Sequence, residues 1–198
     1  MMRCPSNDSK GKLVVENILY QIATGGGIRE PVGLIDPNNL MNGIIQFDHN
    51  KPSNEARSNI QCLLDFKKDT FYQGQANQNA FIIIGLPPFM KVKLTSYKLI
   101  APPKLPDRTV EGSLKGWDLF GANSWEEIQS GNSFRIHSVT DDRNLQRASS
   151  EHVYNVDLKD DKYFRYFKLL ITAKNYQNNL EISLSGIDLS GNIIICRE

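Results

Sequence analysis

From about residue 40 onward the chain is cut into short apolar runs, and the cuts fall at Gly, Asn, Asp and Pro clusters. Runs of that length suit strands and are too short for most helices. Asn42-Gly43-Ile44-Ile45-Gln46-Phe47 and Cys62-Leu63-Leu64-Asp65-Phe66 read as the first two strands. Phe81-Ile82-Ile83-Ile84 is continuous and β-branched, as a strand covered on both faces would be. Past Pro87-Pro88, the residues Met90, Val92 and Leu94 alternate with Lys91, Lys93 and Thr95, so one face of that strand meets a core. Similar runs recur at 116–120, 134–137, 153–156, 166–171 and 180–184. Strands do not alternate with helices in this stretch, which disfavours a parallel α/β sheet. The pattern predicts an all-β chain, an antiparallel β-sandwich or jelly roll.

The segment before residue 40 is different. Val14, Val15, Ile18, Leu19 and Ile22 recur at three- and four-residue spacing, which predicts a short amphipathic N-terminal helix over 11–24. Gly25-Gly26-Gly27 would stop it. A helix that short is marginal alone, so its apolar face must dock, on the sandwich or in a partner's groove. The chain thus divides into an N-terminal extension, 1–39, and a β-domain, 40–198.

Charge narrows the partners. With 23 Lys+Arg against 22 Asp+Glu the net charge is +1, which gives no overall pull toward nucleic acid or anionic lipid. No apolar run approaches the ~20 residues that span a bilayer. Residues 1–10 lack the apolar stretch of a secretory signal, so the expectation is a cytoplasmic protein with reduced thiols. Asn7-Asp8-Ser9 then reads as a chance match to the glycosylation triplet.

Catalytic and metal patterns find little purchase. His49, His137 and His152 stand at no metal-ligand spacing, and no Gly-x-Ser-x-Gly occurs. Gly25-Gly26-Gly27-Ile28-Arg29-Glu30 lacks the Lys and Ser/Thr of a phosphate loop. Asp141-Asp142 and Asp160-Asp161 read as solvated turns rather than a calcium site. The expectation is a protein that is not an enzyme and has no cofactor and no metal.

The order of the runs carries a resemblance. Pro87 to Leu99 leads into Leu114-Lys115-Gly116-Trp117-Asp118-Leu119-Phe120-Gly121, then Trp125-Glu126-Glu127-Ile128. Tyr163-Phe164-Arg165-Tyr166-Phe167-Lys168-Leu169 follows, then Leu180-Glu181-Ile182-Ser183-Leu184 running on to Gly191. This combination resembles the discoidin-like, or coagulation factor 5/8 type C, domain of the galactose-binding-like superfamily. Its closest flavour is the intracellular protist branch often found with BTB domains. The resemblance covers residues 40–192 and implies an eight-stranded antiparallel jelly roll with both chain ends at one pole. Trp117, Leu119, Phe167 and Leu169 would be core anchors. Arg165 shares their parity and would turn inward to a carboxylate or to carbonyls. Two departures stand out: the strand 80–85 lacks the family's acid, and the turn Ala122-Asn123-Ser124 is abbreviated. Extracellular members often join their ends by a disulfide; Cys4 and Cys196 lie where it would form, but the missing signal favours two reduced thiols.

The resemblance also implies where binding occurs. Segments 48–57, 101–108 and 174–178 should meet at the pole opposite the chain ends. They supply His49, Asn50, Arg57, Lys104, Arg108, Asn175, Tyr176 and Asn178, which offer amide pairs, cationic forks and an aromatic face. Leu105 is the only large aliphatic residue among them, which disfavours a membrane. The function expected first is a non-catalytic binding or scaffold module for a protein partner, in a cytoskeletal or ciliary assembly. The alternative is a lectin-like domain whose partner is a carbohydrate. Neither nucleic acid nor membrane is an expected partner.

Overall fold

The alternation that starts at Met90 continues to Ile100 in the computed structural model, which describes residues 13–15, 18–19, 29–30, 33–34, 46–49, 62–65, 67–74, 76, 79–104 and 114–196. The described strands, in chain order, are β1 (Leu13–Val15), β2 (Arg29–Glu30), β3 (Gly33–Leu34), β4 (Gln46–His49), β5 (Tyr72–Gln73), β6 (Phe81–Gly85) and β7 (Met90–Ile100). They continue with β8 (Trp117–Ala122), β9 (Phe134–Val139), β10 (Glu151–Asn155), β11 (Tyr166–Ile171), β12 (Ser183–Leu184) and β13 (Gly186–Ile195). One sheet has the order β1-β13-β7-β10 and the other β4-β6-β11-β8-β9. All their pairings are antiparallel. The short pairs β5–β12 and β2–β3 are separate. The chain has the expected fold class, an all-β antiparallel sandwich. Its two large sheets hold nine described strands rather than eight, and the extra one is β1.

That strand corrects the sequence reading. Leu13–Val15 pairs with Gly191–Ile193 at the edge of the first sheet rather than beginning a helix. Val14 and Val15 are β-branched and find an open edge on β13, so tertiary pairing overrides the helical spacing. Ile18 and Leu19 are helical and fully buried, and the Leu19 amide donates to Asp188 Oδ1 at 2.8 Å. Cys62–Asp65 is likewise a helical turn, α1, and not a strand. Its four residues are too few for periodicity to separate the two states, and Leu63 is buried in either.

In the core, Met90, Val92 and Leu94 of β7 are buried, but so are Tyr97 and Leu99, which have the opposite parity. The switch is a β-bulge. Ser96 faces Ser190 while Leu94 faces Gly191, which leaves Thr95 as the extra residue. Thr95 bonds back to the Ser190 carbonyl at 3.1 Å. Trp117, Leu119, Phe167 and Leu169 are buried as expected. Trp117 Nε1 donates to the Tyr97 hydroxyl at 2.9 Å, and Tyr97 stacks on Tyr154 with centroids 5.2 Å apart.

The run 81–84 is buried on two sides. Ile82 and Ile84 join the main core, whereas Ile83 packs with Ala122, Ile128 and Tyr166 on the outer face. Helix α2 (Trp125–Ser130) supplies Ile128 to that outer cluster. Ser124 caps α2 through a reciprocal bond with Glu127, and Gly131, at φ 84°, ends it. Arg165 is half-buried, donates from Nε to the Leu86 carbonyl at 3.0 Å and lies over the Tyr166 ring. Its partner is thus a carbonyl.

The expectation of reduced thiols is corrected at Cys196, which is disulfide-bonded, while Cys62 forms no disulfide. Cys4, the partner that the resemblance implied, lies outside the described residues.

Candidate functional site

Strand register decides which loops meet. Ile100 at the end of β7 faces both Glu151 at the start of β10 and Gly186 at the start of β13. Trp117 at the start of β8 faces the last residues of β11 and β9, Ile171 and Val139. The segments around 101–104, 114–116, 140–150 and 172–185 therefore gather at one pole, while Ile195 and Leu13 lie toward the other.

Backbone bonds fasten these segments to one another. Ala101 N–H donates to Ser150 O at 2.8 Å and Ser149 N–H to Pro102 O at 3.0 Å, which prolongs the β7–β10 pairing past the sheet. Asp142 N–H donates to Lys115 O at 2.7 Å and Thr172 N–H to Gly116 O at 3.1 Å. The Ser149 hydroxyl reaches the Lys68 carbonyl at 3.4 Å and ties the 67–74 segment to the same pole.

Buried polar side chains then shape the loops. Asp142 is buried; its Oδ2 accepts from Leu145 N–H and its Oδ1 from Asn144 Nδ2, both at 2.9 Å. Asn175 plays the same part in the turn after β11. Its Oδ1 accepts from the amides of Gln177 and Asn179, and its Nδ2 donates to Asn179 Oδ1 and to the Glu181 carbonyl. Glu181 is buried and accepts from Gln73 Nε2 at 2.6 Å. Tyr176 crosses between the loops and donates its hydroxyl hydrogen to the Asp142 carbonyl. Burial foremost, with the Asp141 and Asp142 carboxylates adding to it, holds the Tyr176 hydroxyl above the usual tyrosine range, so it remains a donor.

Charged groups surround that ring. Lys115 Nζ pairs with Asp141 at 3.1 Å and sits 5.8 Å from the Tyr176 centroid. Arg143 also reaches Asp141, at 3.8 Å, and Lys68 reaches Glu151 at 3.5 Å. Arg143, Arg147 and Lys174 are exposed, as is Lys104.

The expected residues divide accordingly. Lys104, Tyr176 and Asn178 are at this pole, with Asn178 exposed at φ 61° in its turn. Asn175 is also there, but it is only 4% exposed and its amide is spent within the turn. His49 ends β4 opposite Ile82 and so points the chain toward the same pole. Asn50, Arg57 and Arg108 lie outside the described residues. The sequence reading missed Lys115, Arg143 and Arg147. The signal for the two arginines is the polar stretch after Val139, which by its Asp141-Asp142 pair reads only as an acidic turn. His137 and His152 sit elsewhere, on the facing edge strands β9 and β10. His137 Nδ1 is 2.9 Å from the Tyr97 hydroxyl, and His152 meets the Tyr154 ring edge-on at 4.8 Å.

Among the described residues no group of three or more His, Cys, Asp or Glu side chains is placed to hold a metal ion. No described helix is long and apolar enough to cross a membrane.

No protein-family model and no curated protein matches the chain. Solved structures do match it in fold. One is a carbohydrate-binding module of Clostridium perfringens, solved in complex with GalNAc-β-1,3-galactose. It has a TM-score of 0.53 at 9% identity, over 73% of this chain and 94% of that one. A second is a carbohydrate-binding module of Clostridium thermocellum, with a TM-score of 0.55 at 16% identity over 76% and 95% of the two chains. A third is the fucolectin of striped bass (Morone saxatilis) serum, with a TM-score of 0.56 at 14% identity. It is matched over 74% of this chain and 46% of that one.

Proposed function

We propose that this domain is a non-catalytic carbohydrate-binding module and that the loop pole is its binding surface. The observation that carries the reading is the Tyr176 ring, held by the Asp142 carbonyl and flanked by Lys115 and Arg143. A fixed aromatic face with polar groups at its rim suits a sugar ring, which has an apolar face and a hydroxyl edge. Three loops bonded to one another at the backbone fix the face in advance, which lowers the ordering cost of binding. Solved neighbours of the same fold are carbohydrate-binding modules and a lectin, and this supports the alternative over the protein-scaffold role expected first. The narrower likeness to an intracellular protist branch rests on the motifs alone, and the present reading does not need it.

Affinity electrophoresis of the full chain through gels containing a panel of polysaccharides tests the reading. The expected result is retardation by at least one glycan, reduced at least ~10-fold in apparent affinity by Tyr176→Ala with circular dichroism unchanged. Unretarded migration through every glycan would overturn it.

The same proposal places the protein in an oxidising compartment instead of the cytoplasm, with the bond at Cys196 as its support. Thiol titration of the denatured, unreduced protein from its native source should find one reactive thiol, that of Cys62; three would return the protein to the cytoplasm.

A further inference from the structure

We propose that the glycan taken at this pole is acidic, one carrying carboxylate or sulfate groups. The inference deepens the carbohydrate reading and rests on it. Its basis is an imbalance between the charges the pole presents. The bonds Ala101–Ser150 and Ser149–Pro102, past the end of the β7–β10 pair, bring together the segments that carry Lys104 and Arg147. Lys68 comes alongside through the bond that its carbonyl accepts from Ser149. Lys115 and Arg143 flank Tyr176, and Lys174 stands two residues before it.

The carboxylates offset these groups only in part. Asp142 and Glu181 are buried and consumed by Leu145, Asn144 and Gln73. Of the exposed ones, Asp141 is shared by Lys115 and Arg143, Glu151 is engaged by Lys68, and Asp69 stands next to Lys68 in the chain. Among the described residues, no carboxylate pairs with Lys104, Arg147 or Lys174. The whole chain carries a net charge of only +1, so this pole is not a sample of a generally basic surface.

Hydrogen-bonding capacity points the same way. A neutral sugar hydroxyl both donates and accepts, and its usual partners are amides and carboxylates. At this pole the Asn175 amide is locked inside its own turn and the Asp141 carboxylate lies in ion pairs. Lys and Arg only donate. The exposed amides of Asn144, Gln146 and Asn178 can accept, but the cations give this pole an excess of donors, which matches a ligand that only accepts, as a carboxylate or sulfate does.

The test is affinity electrophoresis of the full chain against polygalacturonate, heparin, neutral galactan and a homopolymeric RNA, from about 50 to about 500 mM salt. The double variant Lys104→Gln/Arg147→Gln is run beside the wild type, with circular dichroism as a control on folding. The proposal expects polygalacturonate or heparin to bind more tightly than galactan, with affinity falling as salt rises. The variant should lose at least ~10-fold on the acidic glycan and a clearly smaller factor on galactan. Stronger for one acid than the other, the binding would also assign carboxylate or sulfate. Galactan bound as tightly as the acidic glycans, without salt dependence, would overturn the acidic preference and leave the carbohydrate reading intact. Binding to no glycan would overturn both. RNA bound more tightly than either acidic glycan would overturn both as well, since phosphate and not sugar would then be what the pole reads.

Discussion

Tyr176 donates its hydroxyl hydrogen to the backbone carbonyl of Asp142, and this one bond joins the turn after β11 to the loop after β9. Both ends are fixed independently, Asp142 by the Lys115 carbonyl and Tyr176 by the amide turn that Asn175 organises. The ring is therefore oriented before any ligand arrives. Replacement by phenylalanine keeps the ring and leaves the Asp142 carbonyl unmet, so Tyr176→Phe should lose about 1 kcal/mol of stability in urea unfolding. Its affinity for glycan should fall less than that of Tyr176→Ala. Equal urea midpoints for Tyr176→Phe and the wild type would mean that the bond does not hold the loops together.

Gly191 tests the bulge. A Cβ at this position would lie 2.2 Å from the Lys93 carbonyl oxygen, and that atom belongs to the backbone of a central strand. Neither side can give way without breaking the β7–β13 register. Gly191→Ala should cost about 2–3 kcal/mol or prevent folding. Gly131 offers the contrast, since nothing stands within 4 Å of its Cβ position and only its φ of 84° resists a side chain. Gly131→Ala should cost about 1 kcal/mol. Chemical unfolding of the pair separates a steric penalty from a conformational one, and equal losses would refute the distinction.

The strand core was legible because it rests on period. Phe81–Ile84 and Met90–Leu94 announce their burial in the sequence, and Trp117, Leu119, Phe167 and Leu169 take the places their parity assigns. The N-terminal segment was not legible, because Val14 and Val15 satisfy both helical spacing and strand propensity. Only the open edge of β13 decides between them. The parity switch at Thr95 was invisible for a related reason: the bulge exists only in relation to Ser190 on a strand far along the chain. Tyr176 and Lys104 stand at the pole to which their loops assign them. Asn175 looks the same in sequence whether it faces a ligand or closes its own turn, and here it closes the turn.

The cap of α2 should be worth its usual amount. Ser124 Oγ accepts from the Glu127 amide at 3.2 Å, and Glu127 Oε2 accepts in return from the Ser124 amide at 3.3 Å. Ser124→Ala removes the first bond and should cost about 1 kcal/mol. Because α2 places Ile128 over Ile83 and Tyr166, the loss should register in global unfolding and not merely as fraying. An unchanged urea midpoint would show that the apolar contacts alone hold the helix in place.

His137 sets the final prediction, which concerns pH. Trp117 Nε1 donates to the Tyr97 oxygen, and His137 Nδ1 lies 2.9 Å from that hydroxyl, where a neutral imidazole in the Nε2–H tautomer accepts the Tyr97 hydrogen. Burial lowers the His137 pKa below its ordinary value of 6.5 in the folded protein. The unfolded chain then binds the proton at a higher pH than the folded chain does. The stability contributed by neutral His137 is complete above pH 6.5 and declines as pH falls through the window below it, down to the folded-state pKa. Urea midpoints measured between about pH 5 and about pH 7.5 should therefore drop on acidification, and His137→Gln should flatten the part of that slope that this residue supplies. Parallel slopes for variant and wild type would mean that the acid sensitivity belongs to other groups. An increase in stability on acidification that His137→Gln abolishes would reverse the sign of the linkage, and with it the placement of a neutral imidazole against Tyr97.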